Sequence, residues 1–301
     1  MKSHRRNSTI HAFRRQLLLL LFATLILSLA AGCQTGEQDM SQPPPLGAGF
    51  RYSSYGPPYD PGPQYWANVG LGMAERFPGS VPQGIWIVGR LQGQGVFVNF
   101  PVESDDPYIY DMTVDMNTAA LDLFDELGVQ VWLQIEPGMA DVETLIHALL
   151  ETYGHHPCVI GVGVDVEWYQ SYEIPEGQAV SDAVAQSWVA AARTHGEHYR
   201  VFLKHWLPEK MPPTYRDGLV FVDDSQMFDS FDAMISEFKA WGEHFAPAPV
   251  GFQYGYLSDR AWWKELADPP AEIGQAILEQ VPNTEGLYWV DFTVFDIFPP
   301  E

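Results

Sequence analysis

Cysteine is almost absent from this chain. Only Cys33 and Cys158 occur among 301 residues, so at most one disulfide is available to brace the fold. Basic residues are also scarce: Lys and Arg number 16 against 39 Asp and Glu. Five of those cations, Lys2, Arg5, Arg6, Arg14 and Arg15, lie before position 33, which leaves 11 against all 39 acids and a net of −28 for the remainder. Such a surface repels nucleic acid and anionic lipid, which excludes both as binding partners of the globular part. No glycine-rich phosphate loop follows the first predicted strand, so nucleotide binding is not expected. No internal repeat is present. The apolar run at residues 17–31 is too short to span a bilayer in the usual way.

What is there begins with that run. A basic segment followed by an apolar core is the pattern of a secretory signal. It ends in Leu29, Ala30, Ala31, Gly32 and Cys33, which resembles a bacterial lipoprotein box. The resemblance implies cleavage before Cys33, lipidation of that cysteine, and a domain held at the cell envelope outside the cytoplasm by a membrane anchor. Residues 33–64 are rich in Pro, Gly and Ser and read as a tether, leaving 65–301 as a single domain. Cys158 opens an apolar strand and reads as a buried thiol. The neighbouring His155 and His156 lack the spacing of a zinc site, so neither metal nor cofactor is expected.

Apolar runs then alternate with helical stretches. Strands are expected at 84–89, 96–100, 129–136, 159–168, 201–206, 219–223, 250–254 and 287–292. Eight strands with helices between most of them predict an α/β fold, a (β/α)8 TIM-type barrel, with an open doubly wound sheet as the alternative. The short step from Gly89 to Val96 leaves no room for a crossover helix. It implies either a hairpin or a degenerate first βα unit.

The strand from Val159 carries the chemistry. Ile160, Val162, Val164 and Val166 alternate with Gly161, Gly163, Asp165 and Glu167. One face suits a helix layer. The other is free of bulk and ends in two acids at the C-terminal rim, where parallel sheets keep their sites. The strand before it repeats the logic, with Gln130, Trp132, Gln134 and Glu136 on the face opposite Val129, Val131, Leu133 and Ile135. Glu136, Asp165 and Glu167 are therefore expected at one rim. Crowded carboxyls cannot all ionise, and a carboxylic acid beside a carboxylate is what glycosidic cleavage needs. Because Asp165 and Glu167 project from one strand, they do not flank a sugar from opposite sides. Glu167 is expected to protonate the leaving oxygen, and Asp165 to orient a substrate group that attacks its own anomeric carbon.

Residues 161–168 resemble the fourth-strand signature Asp-x-x-Asp-x-Asp-x-Glu of glycoside hydrolase family 18 barrels. Only Asp165 and Glu167 match; Ile160 and Gly163 stand where that family has its earlier aspartates. The resemblance implies that Glu167 is the acid/base and that Asp165 assists a 2-acetamido group. It also implies that Trp289 floors the sugar site and that Gln253 and Tyr254 stand near it. Trp168, Trp206 and Asp223, together with Glu136 and Gln134, complete the expected carbohydrate-binding set. The expected function is a glycosidase acting on a polysaccharide or an N-acetylhexosamine-containing glycan. The alternative is a glycan-binding barrel that has lost turnover.

Overall fold

The computed structural model describes residues 44–172 and 174–300. The segment read as signal peptide, Cys33 and most of the tether lie outside the described residues. Eight parallel strands close on themselves: β1 (Gly47–Tyr52), β2 (Val81–Gln92), β5 (Gln130–Ile135), β6 (Val159–Asp165), β7 (Arg200–Lys204), β8 (Leu219–Asp223), β9 (Val250–Tyr254) and β10 (Thr284–Val290). β1 pairs with both β2 and β10, which shuts the barrel. The fold is thus a (β/α)8 barrel.

Two details differ from expectation. The first barrel strand, Gly47–Tyr52, lies inside the stretch read as tether. Its alternation of Gly47, Gly49 and Arg51 with Ala48, Phe50 and Tyr52 was masked by the Pro- and Gly-rich sequence around it. Conversely, the stretch at 96–100 is not a barrel strand. β3 (Gly95–Val98) folds back antiparallel on the overlong β2, and β4 (Ile109–Asp111) pairs with β3, as an extension of the sheet beyond the barrel. One strand missed and one miscounted left the strands at 130 and 159 third and fourth, as predicted.

The helices α1 (Pro63–Ala74), α2 (Thr118–Leu127), α3 (Val142–Tyr153), α4 (Asp182–Arg193), α5 (Phe231–Phe245), α6 (Arg260–Trp263), α7 (Pro269–Gln280) and α8 (Val294–Ile297) follow the strands. The β7–β8 connection carries only a short 3₁₀ turn, Pro208–Lys210. Start signals act locally: Asp141, Ser181 and Ser230 each accept a hydrogen bond from the third residue on, at Thr144, Val184 and Ala233.

Two apolar clusters separate by strand parity. The larger, between barrel and helices, takes Phe50, Val131, Val162, Val164, Phe221, Phe252 and Trp289. The smaller fills the barrel with Ile85, Trp132, Phe202, Val220, Val222 and Tyr288. At the floor of the barrel, Gln83 accepts hydrogen bonds from Trp132 Nε1 at 3.1 Å and from the Tyr288 hydroxyl. The barrel is therefore plugged below, and only its C-terminal mouth is left for chemistry.

Candidate active site

Three strand ends supply four carboxyls to that mouth. Asp165 ends β6, and the chain then tightens into a 3₁₀ turn, Val166–Trp168, rather than continuing as strand. Glu167 sits in that turn and is half-buried. Glu136 follows β5. Its Oε2 accepts from the Tyr55 hydroxyl at 2.5 Å and from the Leu91 amide at 2.7 Å, which ties the mouth to the loop after β1. Asp224 follows β8.

Lys204, at the end of β7, links these groups. Its Nζ lies 2.9 Å from Asp165 Oδ2 and also pairs with Asp224 Oδ2. Gln134 Nε2 donates to the same Asp165 oxygen at 3.2 Å. Burial opposes the lysine's charge, but Asp165 and Asp224 hold its ammonium well above the ordinary range. Burial pushes the Asp165 carboxyl up against the pull of Lys204, with Asp224 and Glu167 adding to the rise. Glu167 is raised to about 7. Burial is the main cause, Lys204 opposes it, and Asp224, Glu136 and Glu176 reinforce it.

The next shell fixes the frame. Arg51 donates to Asp291 Oδ1 through Nε at 3.0 Å, and Asp291 Oδ2 accepts from the Ser53 amide at 2.8 Å and hydroxyl at 2.5 Å. His205 is buried with its tautomer set. Nδ1 accepts from the Leu207 amide, and Nε2 donates to the Glu176 carbonyl, both at 2.9 Å. Burial lowers its pKa, so the ring is neutral. The Tyr256 hydroxyl donates to Gln253 Oε1 at 3.1 Å. Of the buried polar atoms without a protein partner among the described residues, four belong to this network: Gln134 Oε1, Asp165 Oδ1, Asp224 Oδ1 and Gln253 Nε2. A cleft of about 470 Å³ opens on the rim, lined by Tyr55, Pro57, Pro58, Tyr256, Leu257 and Phe292. Tyr55 and Tyr256 thus belong both to the cleft and to the hydrogen-bonded network below it.

The structure brings together Glu136, Gln134, Asp165, Glu167 and Gln253 from the predicted set. It separates three others. Asp223 shares the outward parity of Phe221 and is buried toward α5, with Glu237 nearby; its neighbour Asp224 is the one that turns in. Tyr254 and Trp289 also face outward, where they pack edge to face at 5.5 Å within the helix-covered core. Trp289 therefore does not floor the mouth. Trp168 and Trp206 are half-buried on the turns after β6 and β7, and Trp206 lies against the His205 ring. At the ends of the strands expected at 201–206 and 219–223, the sequence offers Lys204 or His205, and Asp223 or Asp224, without deciding within either pair; it does not point to Arg51 or Tyr55 as site residues. Parity from the inward Phe202 and Val222 selects Lys204 and Asp224, but nothing local flags Tyr55. Gly161 and Gly163 do not clear room for substrate. A Cβ at Gly163 would lie 2.0 Å from the Phe202 ring, and one at Gly161 would lie 2.5 Å from Trp132. Their space is filled by the barrel core.

His156 bonds Asp125 through Nδ1 at 2.7 Å, and Asp125 also accepts from the Cys158 amide at 2.7 Å, so this stretch is a structural turn. Burial pushes the Cys158 thiol up, away from reactivity.

Fold and site together define a (β/α)8 barrel with a carboxyl-lined mouth braced by one buried lysine. Solved structures share that architecture. A protein assigned as an alpha-L-fucosidase from Bacteroides thetaiotaomicron matches with a TM-score of 0.52 at 10% identity, over 86% of this chain and 91% of its own. Bacteroides uniformis beta-glucuronidase 2, covalently bound to cyclophellitol-6-carboxylate aziridine, matches with a TM-score of 0.51 at 13% identity. A Bacteroides uniformis beta-glucuronidase matches with a TM-score of 0.50 at the same identity. The chain covers 30% of the length of each of those two. No family model matches the chain, and no curated protein does. The likeness at these identities is one of fold.

Proposed function

We propose that this protein is a glycoside hydrolase with Glu167 as its general acid/base. The observation that carries the reading is a half-buried carboxyl at the barrel mouth, raised to about 7 beside further carboxyls. Such a group is protonated often enough near neutral pH to donate, and ionised often enough to take a proton back. The fucosidase and glucuronidase names of the structural neighbours support the same reaction class.

In the proposed reaction the Glu167 proton passes to the glycosidic oxygen as its bond to the anomeric carbon breaks. A 2-acetamido oxygen of the substrate forms the new bond to that carbon, and Asp165 Oδ1 accepts from the amide N–H. Water then displaces the acetamido oxygen and gives a proton to Glu167, so configuration is retained. Substrate assistance is favoured because Glu136, Asp165 and Asp224 each have one oxygen already committed to a protein partner. The substrate is a polysaccharide or an N-acetylhexosamine-containing glycan. A glycan-binding barrel without turnover is favoured by one observation: Lys204 already neutralises charge between Asp165 and Asp224.

The test is release of nitrophenol from aryl glycosides with and without a 2-acetamido group. Wild type should turn over at least one, and Glu167→Gln should lose roughly 10²–10⁴-fold in kcat. Equal rates for the two proteins on every substrate would end the assignment. We further propose tethering at the cell surface through lipid on Cys33. Incorporation of labelled fatty acid that is abolished by Cys33→Ser tests it.

A further inference from the structure

The charge and the unsatisfied hydrogen bonds of the mouth together bear on which sugars fit it. Gln134 and Gln253 are 0% exposed, Asp165 2% and Asp224 5%, yet each keeps one side-chain polar atom without a partner. Leaving such atoms unmade is costly, so a ligand that satisfies them gains affinity. Three of the four are acceptors, Gln134 Oε1, Asp165 Oδ1 and Asp224 Oδ1, and only Gln253 Nε2 donates. The set therefore calls for a ligand that mainly donates hydrogen bonds. Sugar hydroxyls and ammonium groups do so; a carboxylate does not.

Electrostatics point the same way. Glu136, Asp165, Glu167 and Asp224 contribute carboxyls. The buried cations among the described residues here are Lys204 and Arg51, and both are spent on internal partners, Lys204 on Asp165 and Asp224 and Arg51 on Asp291. Arg90, which lies near Tyr55, is solvent-exposed and rests over the Phe97 ring at 5.6 Å. A uronate placed in the mouth would meet carboxyl oxygens with no buried cation left to pair with it, in a setting where like charges repel strongly.

We propose that the mouth is an anion-excluding glycone subsite: it accepts neutral sugars, binds an aminosugar ammonium most tightly and rejects uronic acids. This deepens the hydrolase reading by naming the glycone class, and it rests on that reading only for turnover. The experiment is calorimetric titration of the full chain at pH 7 with nitrophenyl glycosides of both anomers in gluco, galacto and manno configurations. Each configuration is presented as the neutral hexoside, the neutral 2-acetamido-2-deoxy hexoside, the 2-amino-2-deoxy hexoside and the hexuronide, with nitrophenol release followed in parallel. For the configuration that binds, the hexuronide should be weaker than the hexoside by on the order of tenfold or more, and the aminosugar tighter. In Asp224→Asn the ratio of aminosugar to neutral affinity should fall toward one, whereas a general lesion weakens both and leaves the ratio. A hexuronide bound as tightly as its hexoside, or no binding by any member of the panel, overturns the proposal. Ordered binding without nitrophenol release leaves it standing and removes the hydrolase reading. Release from a hexuronide does the reverse.

Discussion

At the scale of single residues, Glu167 holds its place through one turn of chain. The strand ends at Asp165, and Glu167 lies in the 3₁₀ turn that follows it, where the charges of Lys204, Asp224 and Glu136 reach its carboxyl. In the proposed role of general acid it must carry its proton, and its raised pKa defines the window. Turnover should hold below about 7 and fall tenfold per pH unit well above it, and the kcat/KM profile of wild type checks this. In Glu167→Gln that alkaline limb should vanish from whatever activity remains. Lys204→Met tests the brace differently. It leaves Asp165 and Asp224 facing each other without a cation, so stability should drop by about 3–5 kcal/mol in urea unfolding. Sequence patterning could place Asp165 and Glu167 at a strand end, because alternation is local. It could not show that a lysine from the next strand would span two carboxyls.

At the scale of elements, β6 and β8 show how parity decides roles. Gly161 and Gly163 leave room on the inward face of β6 that Trp132 and Phe202 occupy. Gly163→Ala would press a methyl into the Phe202 ring and should cost about 1–3 kcal/mol by chemical denaturation. On β8, Asp223 points into the outer layer. Its Oδ1 accepts from the Ser225 amide at 2.8 Å, while Oδ2 is buried without a partner. Burial pushes this carboxyl well above its ordinary value, opposed by the Ser225 hydrogen bond, with Asp224 and Glu237 adding to the rise. A carboxyl raised in the folded state stabilises fully only below its unfolded pKa, and that contribution is lost as pH rises through the folded one. Asp223→Asn should therefore raise the melting temperature at pH 7–8 and have little effect near pH 3. No gain at neutral pH would show that the charge is accommodated.

At the scale of the whole molecule, closure of the barrel depends on contacts between residues some 240 positions apart. Arg51 leaves β1 and Asp291 follows β10; both are buried, and they pair where first and last strands meet. Asp291→Ala would strand a buried guanidinium, and a loss of about 3–5 kcal/mol in unfolding free energy is expected. The same seam carries Ser53 and leads to Tyr55, which reaches Glu136 across the mouth. The first strand thus contributes to the site as well as to the wall.

The sequence by itself determined the barrel class, the third and fourth strands and the inward placement of Gln134 and Asp165. Each of these follows from short-range alternation and from helix signals such as Asp141 before Val142. It also determined the charge of −28 beyond position 32, which sets the acidic character of the surface. Only the tertiary structure decided that Gly47–Tyr52 is a wall strand and that Trp289 and Tyr254 belong to the helix-covered core. It alone brought Lys204 between Asp165 and Asp224. Those outcomes depend on which strands become neighbours when the sheet closes, and pairing between distant segments leaves no periodic trace in either one.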